Sequence, residues 1–461
     1  GTAPVIDRLA RDGVRFTQHY ANGPECSPTR TALLTGQYQQ RSMGLECAIG
    51  TGSVGSYDEA IRLAGEDRLG LPAGRALLPS ALKPAGYASG VFGKWHLGYA
   101  GENPEYHPQN HGFDYFKGYH SGNIDYINHW GDHMKHDWWH GRKETKEKGY
   151  TTHLINKYAL EFIEQNKDRP FCLYVAHESP HAPVQGPNDP IQRGPGAKKR
   201  ITPHAEAMKQ MILEMDKGVE QVRAKLVELG IEKNTLFLFF SDNGDSPRTA
   251  TGHPNHRGSK GSVYEGGTRV PAIVWWPGKI KPGTSTDALS ITLDVMPTIL
   301  SVAGIEKPKN RSLDGIDLSP AIFEQKALPP RPLYWGSLSN NGARSEALRD
   351  GPWKLVVQHP RARPGTFANE RVELFRLDKD ISEKTNLAAT EPKRAAAMLK
   401  RLKAWYADTQ ETATYQPGGW VPRQQRDVSF FNGKNLAGWS ASEMKYWSVE
   451  DGAIVGYSEV N

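Results

Sequence analysis

Several short stretches carry polar groups whose types and spacing can do chemistry. Cys26 lies in Glu25-Cys-Ser-Pro-Thr-Arg30, between a proline turn and the apolar run Ala32-Leu-Leu34. A buried structural cysteine needs neither the proline nor the arginine, and a disulfide needs a partner. The chain holds only Cys26, Cys47 and Cys172, which make no disulfide framework. Cys47 and Cys172 read as free, small hydrophobes, Cys172 in the strand-like Phe171-Cys-Leu-Tyr-Val175. Lys94 and His96 stand two residues apart in Gly93-Lys-Trp-His-Leu-Gly98. In an extended segment that spacing puts both on one face, where they can hold an anion and move a proton. A surface lysine beside a loop histidine is the plainer alternative. His177 and His181 fall just past the Phe171 run, and one or both can face a site.

Asp242 and Asn243 follow the apolar run Thr235–Phe240 directly. A carboxylate beside a carboxamide offers hard oxygens that suit calcium or magnesium, and the same pair closes a strand as an Asx turn. Lys260 sits in the glycine-rich His256–Pro271, which suits close backbone approach to an oxyanion. His129, His133, His136 and His140 crowd one loop with Trp138 and Trp139. That loop reads as a sugar platform, a zinc site or plain structure, and its irregular spacing is poor for zinc.

These groups need a scaffold that brings distant loops together. Asp7–Arg15 reads as a short helix leading to a strand at Val14–His19, and a helix is expected from Thr29 through Leu34. Ala88–Phe92 reads as a strand and Leu154–Gln165 as a helix. Phe171–Ala176 reads as a buried strand. The clearest helix spans Ala205–Leu229, where Met208, Met211, Ile212, Met215, Val219, Val222 and Leu226 recur at three- and four-residue steps before Gly230. Its methionine stripe is core packing. Thr235–Phe240 is wholly apolar, as in a parallel strand buried on both faces. Strands alternating with helices predict an α/β fold around a mostly parallel sheet, with ligands at the carboxyl ends of the strands. The expected domains are an α/β unit over 1–330, a small α+β unit over 331–413, a linker over 414–427 and the start of a further β unit over 428–461. Asp451-Gly452, between alternating residues, signals a hairpin.

Totals exclude some classes. With 461 residues, several units are expected. The composition, 38% hydrophobic and 23% charged, is that of a globular protein. No apolar run is long enough to span a bilayer. The net charge of +6 is mild, and no basic stripe interleaved with aromatics points to nucleic acid. Residue 1 falls in mid-pattern and residue 461 inside a strand-like alternation, so both ends read as cut, and an absent leader says nothing about location.

Cys26-Ser-Pro-Thr-Arg30 followed by Thr31-Ala-Leu-Leu-Thr-Gly36 resembles the signature of the type I, formylglycine-dependent sulfatases. The resemblance continues in order through Ile6-Asp-Arg-Leu-Ala10, Gly93–Gly98, His111-Gly-Phe-Asp114, Pro180-His-Ala-Pro183, Ser241-Asp-Asn-Gly244 and Tyr264–Pro271. Leu374-Phe-Arg-Leu-Asp378 and Asn386-Leu-Ala388 are similar to that family's C-terminal subdomain. The resemblance covers about residues 1–410 and implies an alkaline phosphatase-like α/β fold. The stretch from Phe430 resembles the start of a concanavalin-like β-sandwich of the keto-disaccharide hydrolase type.

The resemblance implies that a maturation enzyme oxidises Cys26 to formylglycine, whose hydrated form attacks the sulfur of a sulfate ester. It implies that Arg30 and Lys94 stabilise that group and that His96 is the base that ejects sulfate. His181 and Lys260 would contact the sulfate, one of them protonating the leaving alcohol. Asp242, Asn243 and the group at 26 would bind calcium. The family's remaining metal ligands, two aspartates on a first strand, have no counterpart here, so this polypeptide is expected to bind metal poorly and to be inactive alone. The implied substrate is a sulfated carbohydrate and the implied location periplasmic or secreted. The rivals are a phosphodiesterase or phosphonate hydrolase of the same fold, and a degenerate sugar-binding relative.

Overall fold

The computed structural model describes residues 2–42, 48–49, 70–71, 77–99, 104–246, 253–309, 312–338, 344–359, 370–411, 447–450 and 453–456. Cys47, the expected linker and most of the expected C-terminal β unit lie outside the described residues. The chain divides into two compact units, Gly1–Pro417 and Gly418–Asn461.

In the first unit, α1 (Pro4–Asp12) leads to β1 (Val14–Phe16) and β2 (His19–Tyr20). The Asp216 carboxylate accepts from the N–H groups of Val5 and Ile6, each at 2.9 Å, and so satisfies donors that the first turn of α1 leaves free. Next come α2 (Cys26–Thr35), α3 (Gln39–Ser42), α4 (Leu78–Leu82), β3 (Ala88–Lys94) and β4 (Tyr115–Tyr119). Then follow β5 (Trp139–His140), β6 (Lys143–Glu144), α5 (Thr151–Asn166), β7 (Phe171–Ala176), α6 (His204–Glu228) and β8 (Phe237–Phe240). The α/β part closes with α7 (Glu265–Thr268), β9 (Ala272–Trp275), β10 (Thr284–Thr286), β11 (Ser290–Ile291), α8 (Val295–Val302) and α9 (Ser319–Phe323).

The strands form a five-stranded sheet ordered β6-β5-β4-β3-β7 and a four-stranded sheet ordered β10-β1-β9-β8. β3 runs parallel to both β4 and β7, while β5, β6 and β9 pair antiparallel, so the sheets are mixed, with parallel pairing around β3. The helices cover them as the apolar periods demand. Leu154, Ile155, Tyr158 and Phe162 of α5 share a core with Phe92 and with Val219, Val222 and Leu226 of α6. Met208 and Met211 are buried.

Three expectations need correcting. The helix expected from Thr29 begins at Cys26, because Pro28 falls in its first turn, where no backbone donor is required. The expected strand Ala88–Phe92 runs on to Lys94. β8, read as a parallel strand, pairs antiparallel with β9, and β7 and β8, expected to be fully buried, are half-buried. Both line a cavity of ≈ 1800 Å³ that lies between the two sheets and reaches Arg30, Lys94, His181, Asp242 and Lys260.

Residues 332–411 build β12 (Pro332–Leu338), β13 (Arg344–Asp350), β14 (Trp353–His359), β15 (Arg371–Arg376) and α10 (Pro392–Glu411). The four strands pair antiparallel in chain order. Leu333, Trp335, Leu355, Phe375 and Leu402 share one core with Tyr20, Ala32, Val263 and Ile291 of the α/β part. A buried ion network crosses the same junction. Lys354 Nζ lies 2.8 Å from Glu265 Oε1 and 3.1 Å from Glu383 Oε1, with all three side chains at 0% exposure. Tyr20 donates to Glu265 at 2.7 Å, and the Glu383 carboxylate accepts from Glu265 N. This network holds the segment that carries Lys260. In the second unit, β16 (Trp447–Glu450) and β17 (Ala453–Gly456) pair as the hairpin that Asp451-Gly452 signals.

Candidate active site

Cys26 opens α2, and its Sγ is buried where the loops after β3, β7 and β8 meet. Lys94, the last residue of β3, brings Nζ to 3.2 Å from Sγ, and Lys260 brings Nζ to 3.3 Å. The thiol lies 3.3 Å from Asn243 Oδ1. Burial alone would raise the Cys26 pKa. The Lys260 and Lys94 ammoniums, with contacts from His181 and His96, pull it well below the ordinary thiol value, as a helix N-terminus also favours.

His181 takes a defined tautomer from its partners. Lys260 Nζ, which can only donate, lies 3.0 Å from His181 Nε2. Nε2 is therefore the acceptor, and Nδ1–H donates to Ala182 O at 2.8 Å. Burial, with Lys260 and Lys94, lowers the His181 pKa, so the ring is neutral and Lys260 holds the proton between them.

His96 reaches the site by a route the strand alternation did not give. β3 ends at Lys94, and His96 adopts φ of +56°, with its N–H donating to His120 O at 3.2 Å. Its Nε2 donates to Ile49 O, leaving Nδ1, buried and without a hydrogen-bond partner, as the basic nitrogen. Burial and Lys94 lower its pKa, while Cys26 opposes them. A neutral imidazole beside Cys26 can accept a proton.

Arg30, one turn along α2 from Cys26, is 4% exposed. Its Nε donates to Asp242 Oδ2 at 3.0 Å, and its remaining nitrogens reach Asp242 Oδ2 at 2.9 Å, Lys94 O at 2.7 Å and Tyr174 Oη at 3.1 Å. Arg30 thus ties β3, β7 and the end of β8 to α2. Asp242 and Asn243 are site groups and not only a strand-closing turn.

Two oxygens from Asp242 and Asn243 and one from the group at 26 fall short of the six to eight that calcium takes, and Asp242 is shared with Arg30. Among the described residues no group of three or more His, Cys, Asp or Glu can hold a metal ion. The donors present do not by themselves make a calcium shell.

The structure brings Cys26, Arg30, Lys94, His96, His181, Asp242, Asn243 and Lys260 together. It leaves out His177, whose Nε2 meets Asn156 Oδ1 at 2.7 Å. In the histidine-rich loop, His129 meets Gly149 O, His136 meets Glu144 and His140 meets Glu147, so these three are structural. Cys172 lies on β7, and burial pushes its thiol up to about 12. Two residues escaped the sequence reading. Tyr174 shows as a lone hydroxyl within an apolar strand. Glu178 is buried, donors aside, and burial raises it to about 8.

Residues 1–305 match the family model described as Sulfatase, and residues 258–411 match that of N-sulphoglucosamine sulphohydrolase, C-terminal. The chain belongs to the sulfatase family. It is 35% identical over 353 residues to N-acetylgalactosamine-6-sulfatase of Mus musculus, a match covering 72% of this chain and 63% of that protein. The chain thus spans less than two thirds of that relative. It is 30% identical over 443 residues to the uncharacterized sulfatase YdeN of Escherichia coli (strain K12), covering 85% of this chain and 74% of the relative. The fold superposes on that of Ps i-CgsB, solved in complex with k-i-k-neocarrahexaose, with a TM-score of 0.75 and 27% identity over 92% of this chain and 90% of that one. The fold is therefore the α/β fold of the sulfatases, as the signature implied.

Proposed function

We propose that the chain carries the catalytic centre of a sulfatase that hydrolyses sulfate esters of carbohydrates, with residue 26 matured to formylglycine. The carrying observation is the approach of two ammonium groups, at 3.2 and 3.3 Å, to Sγ of Cys26. A single buried thiol needs no such charge. An oxyanion with a tetrahedral anion bound beside it does. Support for a carbohydrate ester comes from the family match, the N-acetylgalactosamine-6-sulfatase relatives and the oligosaccharide in Ps i-CgsB.

Formylglycine, once formed and hydrated, supplies one hydroxyl to attack sulfur and a second to release sulfate. The other residues serve it as follows. Lys94 and Lys260 neutralise the group at 26 and the sulfate oxygens. Lys260 gives a proton to the departing alcohol, and His181 Nε2, which accepts from Lys260 Nζ at 3.0 Å, orients that ammonium. His96 Nδ1 accepts a proton from the group at 26. Arg30 is a positioning residue that keeps Asp242 and the Lys94 backbone in place, and its charge favours an ionised group at 26. A sulfated polysaccharide substrate fits a periplasmic or secreted enzyme.

Peptide mass spectrometry of the Cys26 segment tests the reading, after coexpression with a formylglycine-generating enzyme and with a known sulfatase as control. An aldehyde at residue 26 is expected. An unmodified thiol beside a converted control overturns it. In a mature sample, release of sulfate but not phosphate from matched aryl esters separates the sulfatase from a phosphodiesterase or phosphonate hydrolase.

A further inference from the structure

The turn that leaves β7 toward His181 carries an acid that the reaction above does not use. Glu178 is 5% exposed, and it lines the same cavity as Lys94 and His181. The turn is fixed on both sides. His181 N donates to Glu178 O at 2.8 Å, Ser179 Oγ to Met211 O at 2.7 Å and Tyr126 Oη to His181 O at 3.0 Å. Glu178 Oε1 accepts from Ile124 N at 2.8 Å, while Oε2 is buried and has no hydrogen-bond partner. The Tyr119 hydroxyl, which faces the carboxyl, is also buried without one. Lys94 and Tyr119 are register partners on β3 and β4, so their side chains leave the sheet on one face. Tyr126 and Tyr150 are the other titratable groups beside Glu178, and Lys94 and Arg193 are the cations. Two or three N–H donors keep a carboxyl ionised, and Glu178 has the one from Ile124. A single N–H and a phenol suit the acid form, whose O–H can donate to Tyr119 Oη. Burial accordingly raises Glu178 to about 8 against Lys94 and Arg193.

We propose that Glu178 is a positioning residue that acts through Lys94: as the neutral acid it leaves the ammonium's charge to an anion beside residue 26, and on ionising it weakens the binding of that anion. The proposal rests on the sulfate-ester reading above. Lys94 Nζ lies 3.2 Å from Cys26 Sγ, so the charge that Glu178 would neutralise is the one the site uses. Coupling between two sites is reciprocal. A bound sulfate therefore holds the proton on Glu178, and sulfate binding near the Glu178 pKa takes up a proton. Affinity is full while Glu178 is protonated in the free chain, falls as pH rises through its free-state pKa, and levels off above its higher bound-state pKa.

Calorimetry with inorganic sulfate, from about pH 7 to about pH 9.5, tests this on the whole chain carrying Cys26→Ser, whose neutral hydroxyl removes the thiolate. The affinity should fall about five- to a hundredfold over that range, and buffers of different ionisation enthalpy should report proton uptake on binding. Glu178→Gln, added to that chain, copies the donor and acceptor of the acid. It should match the parent within about twofold at neutral pH and lose both the fall and the uptake that Glu178 causes. Lys94 and Lys260 are present in both chains, so the difference between them isolates Glu178. Infrared spectra at neutral pH should show a protonated-carboxyl band in the parent that Glu178→Gln lacks. Absence of that band, or the same pH dependence in both chains, overturns the proposal and leaves the sulfate-ester reading standing. Loss of sulfate binding in Glu178→Gln at neutral pH shows that the carboxylate itself is required and overturns the proposal as well. A parent that binds no sulfate at any of these pH values overturns the sulfate-ester reading and the proposal with it.

Discussion

Replacing Lys354 with methionine tests whether the buried network fixes the Lys260 segment. Lys354, Glu265 and Glu383 are all fully buried, and one ammonium serves two carboxylates at 2.8 and 3.1 Å. Methionine keeps the volume and removes the charge. Arg349 and Arg269 still face Glu265, as does the Tyr20 hydroxyl, so Glu265 retains partners. Glu383 does not retain its ammonium. Burial already raises its pKa, with Glu265 adding to it and Lys354 opposing. Removing one partner of a buried ion pair costs about 3–5 kcal/mol, and that range is expected at about pH 7.5 by urea unfolding followed by fluorescence. The pH dependence has a definite sign. In Lys354→Met the folded pKa of Glu383 lies further above its unfolded value. The protonated form then favours folding below the unfolded pKa, and that contribution is lost as pH rises through the folded one. The loss should therefore shrink at about pH 5. Adding Glu383→Gln to the variant should recover at least about 1 kcal/mol at neutral pH. A cost under about 1 kcal/mol, or one that does not change between the two pH values, refutes the reasoning.

The other predictions concern the site itself. The thiolate absorbance of unmodified Cys26 should persist well below the ordinary thiol pKa, and Lys94→Ala or Lys260→Ala should move its titration upward, since each removes a cation next to Sγ. An unchanged titration in both variants would mean that the ammoniums do not set it. Tyr174→Phe should cost about 1–2 kcal/mol of unfolding free energy, because the buried Arg30 guanidinium loses an acceptor at 3.1 Å; a neutral effect would show that water replaces it. Calcium titration of this chain should give an affinity weaker than about micromolar, since three oxygens do not fill a calcium shell. Micromolar binding would show that further ligands are present.

The sequence by itself determined the residues that meet at the site and the family to which the chain belongs. Cys26, Arg30, Lys94, His96, His181, Asp242, Asn243 and Lys260 were legible together through the ordered stretches that resemble the sulfatases, whereas Lys94 with His96 and Asp242 with Asn243 each kept a plain surface or turn reading by composition alone. Local periodicity likewise showed α5, α6 and β7, since a helix stripe or a strand run depends on neighbours along the chain. Where two readings of one segment were physically equal, sequence could not choose. Lys94 and His96 were placed on one face by strand alternation, yet β3 stops at Lys94 and His96 turns into the left-handed region. Of His177 and His181, only the second faces the site, because the first is taken by Asn156 on α5. Tertiary structure alone decided which nitrogen of each histidine is basic, since that depends on Lys260, Ala182 and Ile49, residues distant in sequence or visible only as backbone. And it alone brought His96 and Asp132 to the same stretch of backbone at Gly122, an approach that no spacing along the chain records.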